Sequence, residues 1–173
     1  MNRRRPLSAI AVLLAASLAT AGCSKPKQLY VDRAWVRLPG VAHQPAAVYF
    51  TVHGGPVATT LIDVSSDVAI RSEMHETMTS AGTSAGTGTG TGTAGGGRPG
   101  TAAMTRMTPL QTVAIPAASL DAFAPGGRHV MLFGLARSVK RGGTMALTFT
   151  FGDGERILQT ASVLGAGDPP PGD

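Results

Sequence analysis

Cysteine is almost missing from this 173-residue chain. Cys23 stands alone, which excludes an intrachain disulfide framework and any multi-cysteine zinc site. Charged residues make up only 14% of the chain and aromatic residues 5%. The formal charge of +5 owes much to Arg3, Arg4 and Arg5; beyond residue 22 the balance is 12 basic against 10 acidic side chains. With no dense Lys/Arg stripe, nucleic-acid binding has no electrostatic footprint. The ten carboxylates are scattered, so no acid–base pair stands out, and no serine elbow or triad order is present. The protein is therefore not expected to be an enzyme. What it does have is 43% hydrophobic residues with 23 glycines and 12 prolines, enough for a packed core broken by many turns.

The N-terminus reads as an export leader. Three arginines precede a short apolar run and then small residues, and the run is too short to span a bilayer comfortably. Residues 1–22 are expected to be a signal peptide. Cys23 follows Thr20-Ala21-Gly22 and resembles the lipobox of bacterial lipoproteins, in which that cysteine becomes the lipid-bearing N-terminus. A cut after Ala19-Thr20-Ala21 would instead leave a soluble protein with a free thiol. Both routes put the domain outside the cytoplasm, in the cell envelope or periplasm, with a lipid anchor at Cys23 in the first case. Residues 23–28 read as a tether.

From Leu29 onward the chain shows short β-branched and aromatic runs separated by Gly, Pro and Asp clusters, with no helical period. Strands are expected over residues 30–37, 47–53, 59–64, 68–77, 104–107, 111–115, 119–123, 128–135, 144–151 and 157–163. Val48, Phe50 and Val52 alternate with Tyr49 and Thr51, and Leu147, Phe149 and Phe151 alternate with Thr148 and Thr150. That suits sheets with one buried face, hence an all-β sandwich or barrel over residues 29–165. Gly152-Asp153-Gly154 reads as a hairpin turn. Residues 80–100 are Gly/Thr-rich and lack large apolar side chains, so they read as a disordered low-complexity loop inserted in the domain. Residues 166–173 are expected to form a flexible tail.

The chemistry-bearing residues are histidines and methionines. Met74-His75-Glu76-Thr77-Met78 closes one strand, Met107 follows the insertion, and Pro125-Gly126-Gly127 turns into Arg128-His129-Val130-Met131. Residues two apart on a strand share a face, so His129 and Met131 can approach one ion together. Imidazole with thioether is a soft donor pair that favours Cu(I) over Mg, Ca or Mn. His75-Glu76 begins like a zincin motif, but Thr79 occupies the place of the second histidine. Met104 and Met107 have opposite strand parity, so a regular strand cannot aim both at one ion. Taken singly, each residue has a plainer reading: His75 and His129 as solvated polar residues, Met107 and Met131 as core. Trp35 reads as a core anchor, Met74 and Met78 stand as possible auxiliary donors with core packing the better reading of Met74, and no role is assigned to His43 or His53.

Taken together these residues resemble the PCu(A)C family of periplasmic copper chaperones, marked by His, ten residues, Met, twenty-one residues and a closing His-x-Met. Met107 and His129 are separated by twenty-one residues, and His75 and Met107 by thirty-one. Removing the twenty-one residues 80–100 restores the ten-residue gap. The blocks Ala34-Trp35-Val36-Arg37, Ala47-Val48-Tyr49-Phe50-Thr51, Met74-His75-Glu76-Thr77 and Pro125-Gly126-Gly127-Arg128-His129-Val130-Met131 extend the likeness over roughly residues 34–163. The resemblance implies a cupredoxin-like Greek-key β-barrel or sandwich that binds one Cu(I) through His75, Met107, His129 and Met131. It also implies delivery to a cytochrome c oxidase subunit or a second oxidase-assembly chaperone. Two rivals stand beside it: an immunoglobulin-like envelope lipoprotein module without metal, and a zinc hydrolase built on His75 and Glu76.

Overall fold

The computed structural model describes residues 28–80 and 104–172, and these are all strand, turn and loop. The expected leader, Cys23 and nearly all of the expected insertion lie outside the described residues. Ten strands follow in chain order: β1 (Tyr30–Arg37), β2 (Ala46–His53), β3 (Thr59–Ser65), β4 (Arg71–Ser80), β5 (Met104–Leu110), β6 (Val113–Ile115), β7 (Leu120–Phe123), β8 (Arg128–Phe133), β9 (Thr144–Phe151) and β10 (Arg156–Leu164). They hydrogen-bond in the order β5-β4-β8-β2-β1-β10-β9-β3-β6, with β7 taking the far half of β2. All pairings are antiparallel except that of β1 with β10.

Alternation decides which side of each strand is buried. Val48, Phe50 and Val52 of β2 face Leu147, Phe149 and Phe151 of β9 within one core cluster, joined by Val130 and Leu132 of β8 and Met74 of β4. Strands remote in hydrogen-bond order thus share one interior, so the sheet curls around a single core. Turn chemistry sets several ends. β8 stops at Phe133 because Gly134 takes φ +65°, two residues short of the expected end. β4 begins at Arg71 rather than residue 68, since Ala69 N–H closes a turn on the Ser66 carbonyl.

Two expectations give way here. Continuous alternation from Val31 would have aimed Trp35 into the core. Instead, Asp32 pairs with Thr51 and Trp35 with Tyr49, so Arg33 and Ala34 together oppose Phe50 in a bulge, with Arg33 at φ +51°. The bulge inverts the parity: Ala34 and Val36 point inward, and Trp35 is buried on the outer face against Tyr49, ring centroids 4.4 Å apart. The tail is not simply loose either. Arg141 donates to both Asp168 carboxylate oxygens at 2.8 and 2.6 Å, Gly165 N–H donates to Oδ2 at 2.7 Å, and Arg37 donates to the Asp168 carbonyl at 3.2 Å.

Ser80 belongs to β4 and is the register partner of Met104 at the start of β5. The connection 81–103 therefore leaves and rejoins the sheet at adjacent points, as a hairpin loop does. Deleting residues 81–100 leaves a three-residue link, a common hairpin length. The shortened protein is expected to fold, gain about 1–2 kcal/mol in closure entropy, and bind the same metal load. Thermal melts and metal titration of deletion and parent side by side check this; a deletion that cannot fold would make the segment structural.

Candidate metal centre

The site grows from one cross-strand register. β4 pairs β8 with His75 opposite His129, Glu73 opposite Met131 and Arg71 opposite Phe133. On the other side of β4, Thr77 lies opposite Met107 of β5 and His75 opposite Pro109. Opposed residues in an antiparallel pair share a face, and so do residues two apart on one strand. His75, Met107, His129 and Met131 therefore stand on the same, outer face, with the methionines one row to either side of the histidine pair. The imidazole centroids are 6.0 Å apart and inclined by 28°.

His129 is held hard in place. It is only 5% exposed, and its Nδ1 lies 3.1 Å from the Gly127 carbonyl. A carbonyl only accepts, so Nδ1 carries the proton and Nε2 keeps its lone pair for a ligand. The same carbonyl also accepts from Thr77 N–H at 3.2 Å, which ties the turn to β4. Gly126 at φ +83° makes that turn possible. The Tyr49 ring, 6.4 Å away, continues the row of rings towards Trp35 and the Arg37 guanidinium above it.

His75 is also largely covered, and its Nδ1 is buried with no hydrogen-bond partner. A buried unpaired nitrogen is costly unless something occupies it, which suits a metal ligand. Burial of the ring, and then the neighbouring His129, hold the His75 pKa below its ordinary value. In the unfolded chain the imidazole titrates near ~6.5. The unfolded state therefore takes up the proton first as pH falls. Its contribution is intact above ~6.5 and is lost between there and the lowered folded value. The thermal midpoint of the metal-free protein is expected to drop on acidification across that window, and to drop less in His75→Gln. Equal slopes for both proteins would refute it.

Met131 is half-buried, whereas Met107 on edge strand β5 is 54% exposed. Met74 is buried in the core, and Met78, one residue out of phase with His75 and opposite Arg106, is on the other face, so it cannot assist the same ion. His53 is engaged elsewhere, 3.1 Å from Asp32 and stacked on Tyr30. Glu76 also points away from His75 and lies 3.8 Å from Arg128. The His75-Glu76 pair of a hydrolase is thus split between faces. Among the described residues no three His, Cys, Asp or Glu side chains form a metal-holding group. A cavity of about 610 Å³ beside Trp35, Phe123 and Pro170 is lined by none of the four residues. Residue patterns alone did not single out Glu73, Arg71 or the Gly127 carbonyl. The alternation Arg71, Glu73, His75 on one strand was the available signal.

This all-β sheet curled round one core has a cupredoxin-like fold. Its fold is that of PCuAC domains. The copper-bound PCuAC domain from PmoF2 superposes with a TM-score of 0.58 at 18% identity, covering 81% of this chain and 95% of that one. Cu(I)-bound DR1885 from Deinococcus radiodurans gives 0.56 at 23% identity, covering 84% and 85%. In sequence, a family model described as "Putative lipoprotein LpqE-like" matches residues 89–163. The "Putative lipoprotein Lxx21020" of Leifsonia xyli subsp. xyli is 29% identical over 148 residues, covering 86% of this chain and 76% of that protein.

Proposed function

We propose that this protein is an extracytoplasmic Cu(I) chaperone, holding one ion through His75, Met107, His129 and Met131 and passing it to a partner. The observation that carries the reading is the shared face: two imidazoles paired across β4 and β8, flanked by two thioethers. Neutral imidazole and thioether donors suit a soft monovalent ion. The fold shared with copper-bound PCuAC domains supports the same cargo. Copper is the cargo here, so no redox turnover is required. Exposed Met107 on the sheet edge offers the point where an acceptor's ligand can enter while the two β8 donors still hold the ion, so transfer proceeds by ligand exchange. The acceptor on this reading is a cytochrome c oxidase subunit or an oxidase-assembly chaperone. Cys23 as a lipid anchor would keep the domain at the envelope membrane, and the lipoprotein names of the similar sequences favour that placement.

The test is an anaerobic Cu(I) titration against a chelator, with zinc in parallel. One Cu(I) per chain and much weaker zinc binding are expected. Met131→Leu nearly conserves volume and is expected to cost under ~1.5 kcal/mol of stability while weakening Cu(I) binding markedly. Equal retention of zinc and Cu(I), or unchanged affinity in Met131→Leu, would remove the thioethers from the site. Failure to take up any Cu(I) would favour a metal-free envelope module.

A further inference from the structure

Resting on the copper reading above, we infer that Glu73 is a positioning residue for His75, so that the two histidines offer different nitrogens: Nδ1 from His75 and Nε2 from His129.

The arrangement is built along one face of β4. Arg71, Glu73 and His75 alternate outward, opposite Phe133, Met131 and His129 of β8. The Arg71 guanidinium lies 3.7 Å over the Phe133 ring and forms an ion pair with Glu73 Oε1. One carboxylate oxygen is thus secured by a cation that is itself seated on an aromatic face. The other oxygen, Oε2, lies 3.8 Å from His75 Nε2. A neutral imidazole has one N–H and one lone pair, and a carboxylate can only accept. The negative oxygen beside Nε2 therefore favours the proton there and leaves the lone pair on Nδ1. Nδ1 is the nitrogen that is buried without a partner.

His129 has the opposite arrangement. Its Nδ1 proton faces the Gly127 carbonyl, and its Nε2 is free. The Gly127 carbonyl holds His129 by a 3.1 Å hydrogen bond, whereas Glu73 Oε2, 3.8 Å from His75 Nε2, acts on His75 through its charge, each on the nitrogen opposite the one offered to a metal. One acceptor is a backbone carbonyl fixed by the turn. The other is a side chain whose charge makes His75 the stronger donor and can be altered by substitution.

The experiment is anaerobic NMR of the protein labelled with ¹⁵N-histidine, with Cu(I) alone as the probe. In the loaded wild type, the metal-bound shift is expected at Nδ1 of His75 and at Nε2 of His129, with the remaining proton on the other nitrogen of each ring. Glu73→Ala is expected to lower Cu(I) affinity by about 10–100-fold, the range typical of losing an orienting partner. Glu73→Gln keeps the shape but not the charge and is expected to share most of that loss, whereas a merely steric role for Glu73 would leave it at the parental affinity. Ligation by His75 through Nε2 in the wild type would overturn the inference without any variant, and so would unchanged affinity in a folded Glu73→Ala. A protein that takes up no Cu(I) overturns the copper reading itself, and the inference with it. A loaded protein with the other nitrogen bound overturns the inference alone.

Discussion

His75→Ala is expected to cost more than about 100-fold in Cu(I) affinity, because losing a ligand must exceed the 10–100-fold typical of losing its orienting partner. The metal-free fold should nevertheless survive. His75 Nδ1 has no hydrogen-bond partner, and Nε2 is 3.8 Å from Glu73, too long for a hydrogen bond, so truncation deletes no such bond and removes a buried unpaired nitrogen. The ring stands on the outer face, outside the central cluster, so the space it leaves does not open the core. His129→Ala is a poorer instrument, since it removes the donor to the Gly127 carbonyl and empties a 5%-exposed position. Chelator competition read beside thermal melts checks the prediction. An affinity within a few-fold of the parent would show that His75 is not a ligand, whatever its register.

Much of this was legible in the sequence, and the exceptions have physical causes. β1 and β9 span the residues expected of them, and along β9 each residue's burial follows its parity. Hydrophobic period cannot show a bulge, because the extra residue changes the parity without changing the composition. Trp35 therefore reads as core and turns out to face Tyr49 on the other side. His129 looks like a solvated strand start after a glycine turn, yet is buried, because Gly127 folds back to accept its Nδ1–H and Thr77 N–H together. The tail looks free because Gly and Pro dominate it. Asp168, one of two aspartates among them, meets Arg141 and Arg37, which lie 27 and 131 residues away in the chain. Contacts that remote leave no local pattern to read.

The site's face was legible for a different reason. Spacing between His75 and Met107 is distorted by the low-complexity stretch, but parity on each strand is not. The residues before that stretch and those after it return to one register, Ser80 against Met104 through Met74 against Leu110. The low-complexity stretch lies between the paired ends of β4 and β5, where the length of a connection does not alter which side chains share a face. A longer connection at that point leaves the register of the histidine pair unchanged.

Phe149→Ala is expected to have the largest effect on the fold itself, about 3–5 kcal/mol. Phe149 is fully buried on β9 and meets Phe50 of β2 edge-on at 4.7 Å, while Phe50 stacks on Phe123 of β7 at 4.2 Å. In hydrogen-bond order β9 and β2 are separated by β10 and β1. The contact between them therefore crosses the core and does not run along the sheet. Emptying it leaves a cavity between strands whose spacing is fixed by their own ladders, so the walls cannot close in to fill it. The loss of the edge-to-face pair adds to the loss of burial. Against a typical total of about 5–15 kcal/mol, roughly a fifth or more of the stability disappears. Denaturant melts of the metal-free proteins read the loss as a lower midpoint. Below that midpoint, the fraction still folded should bind Cu(I) with parental affinity, since the outer face of β4 and β8 contains no atom of Phe149. A variant that melts like the parent would mean that the core tolerates the void, and one that stays folded but loses copper would mean that the core and the outer face are coupled through the sheet.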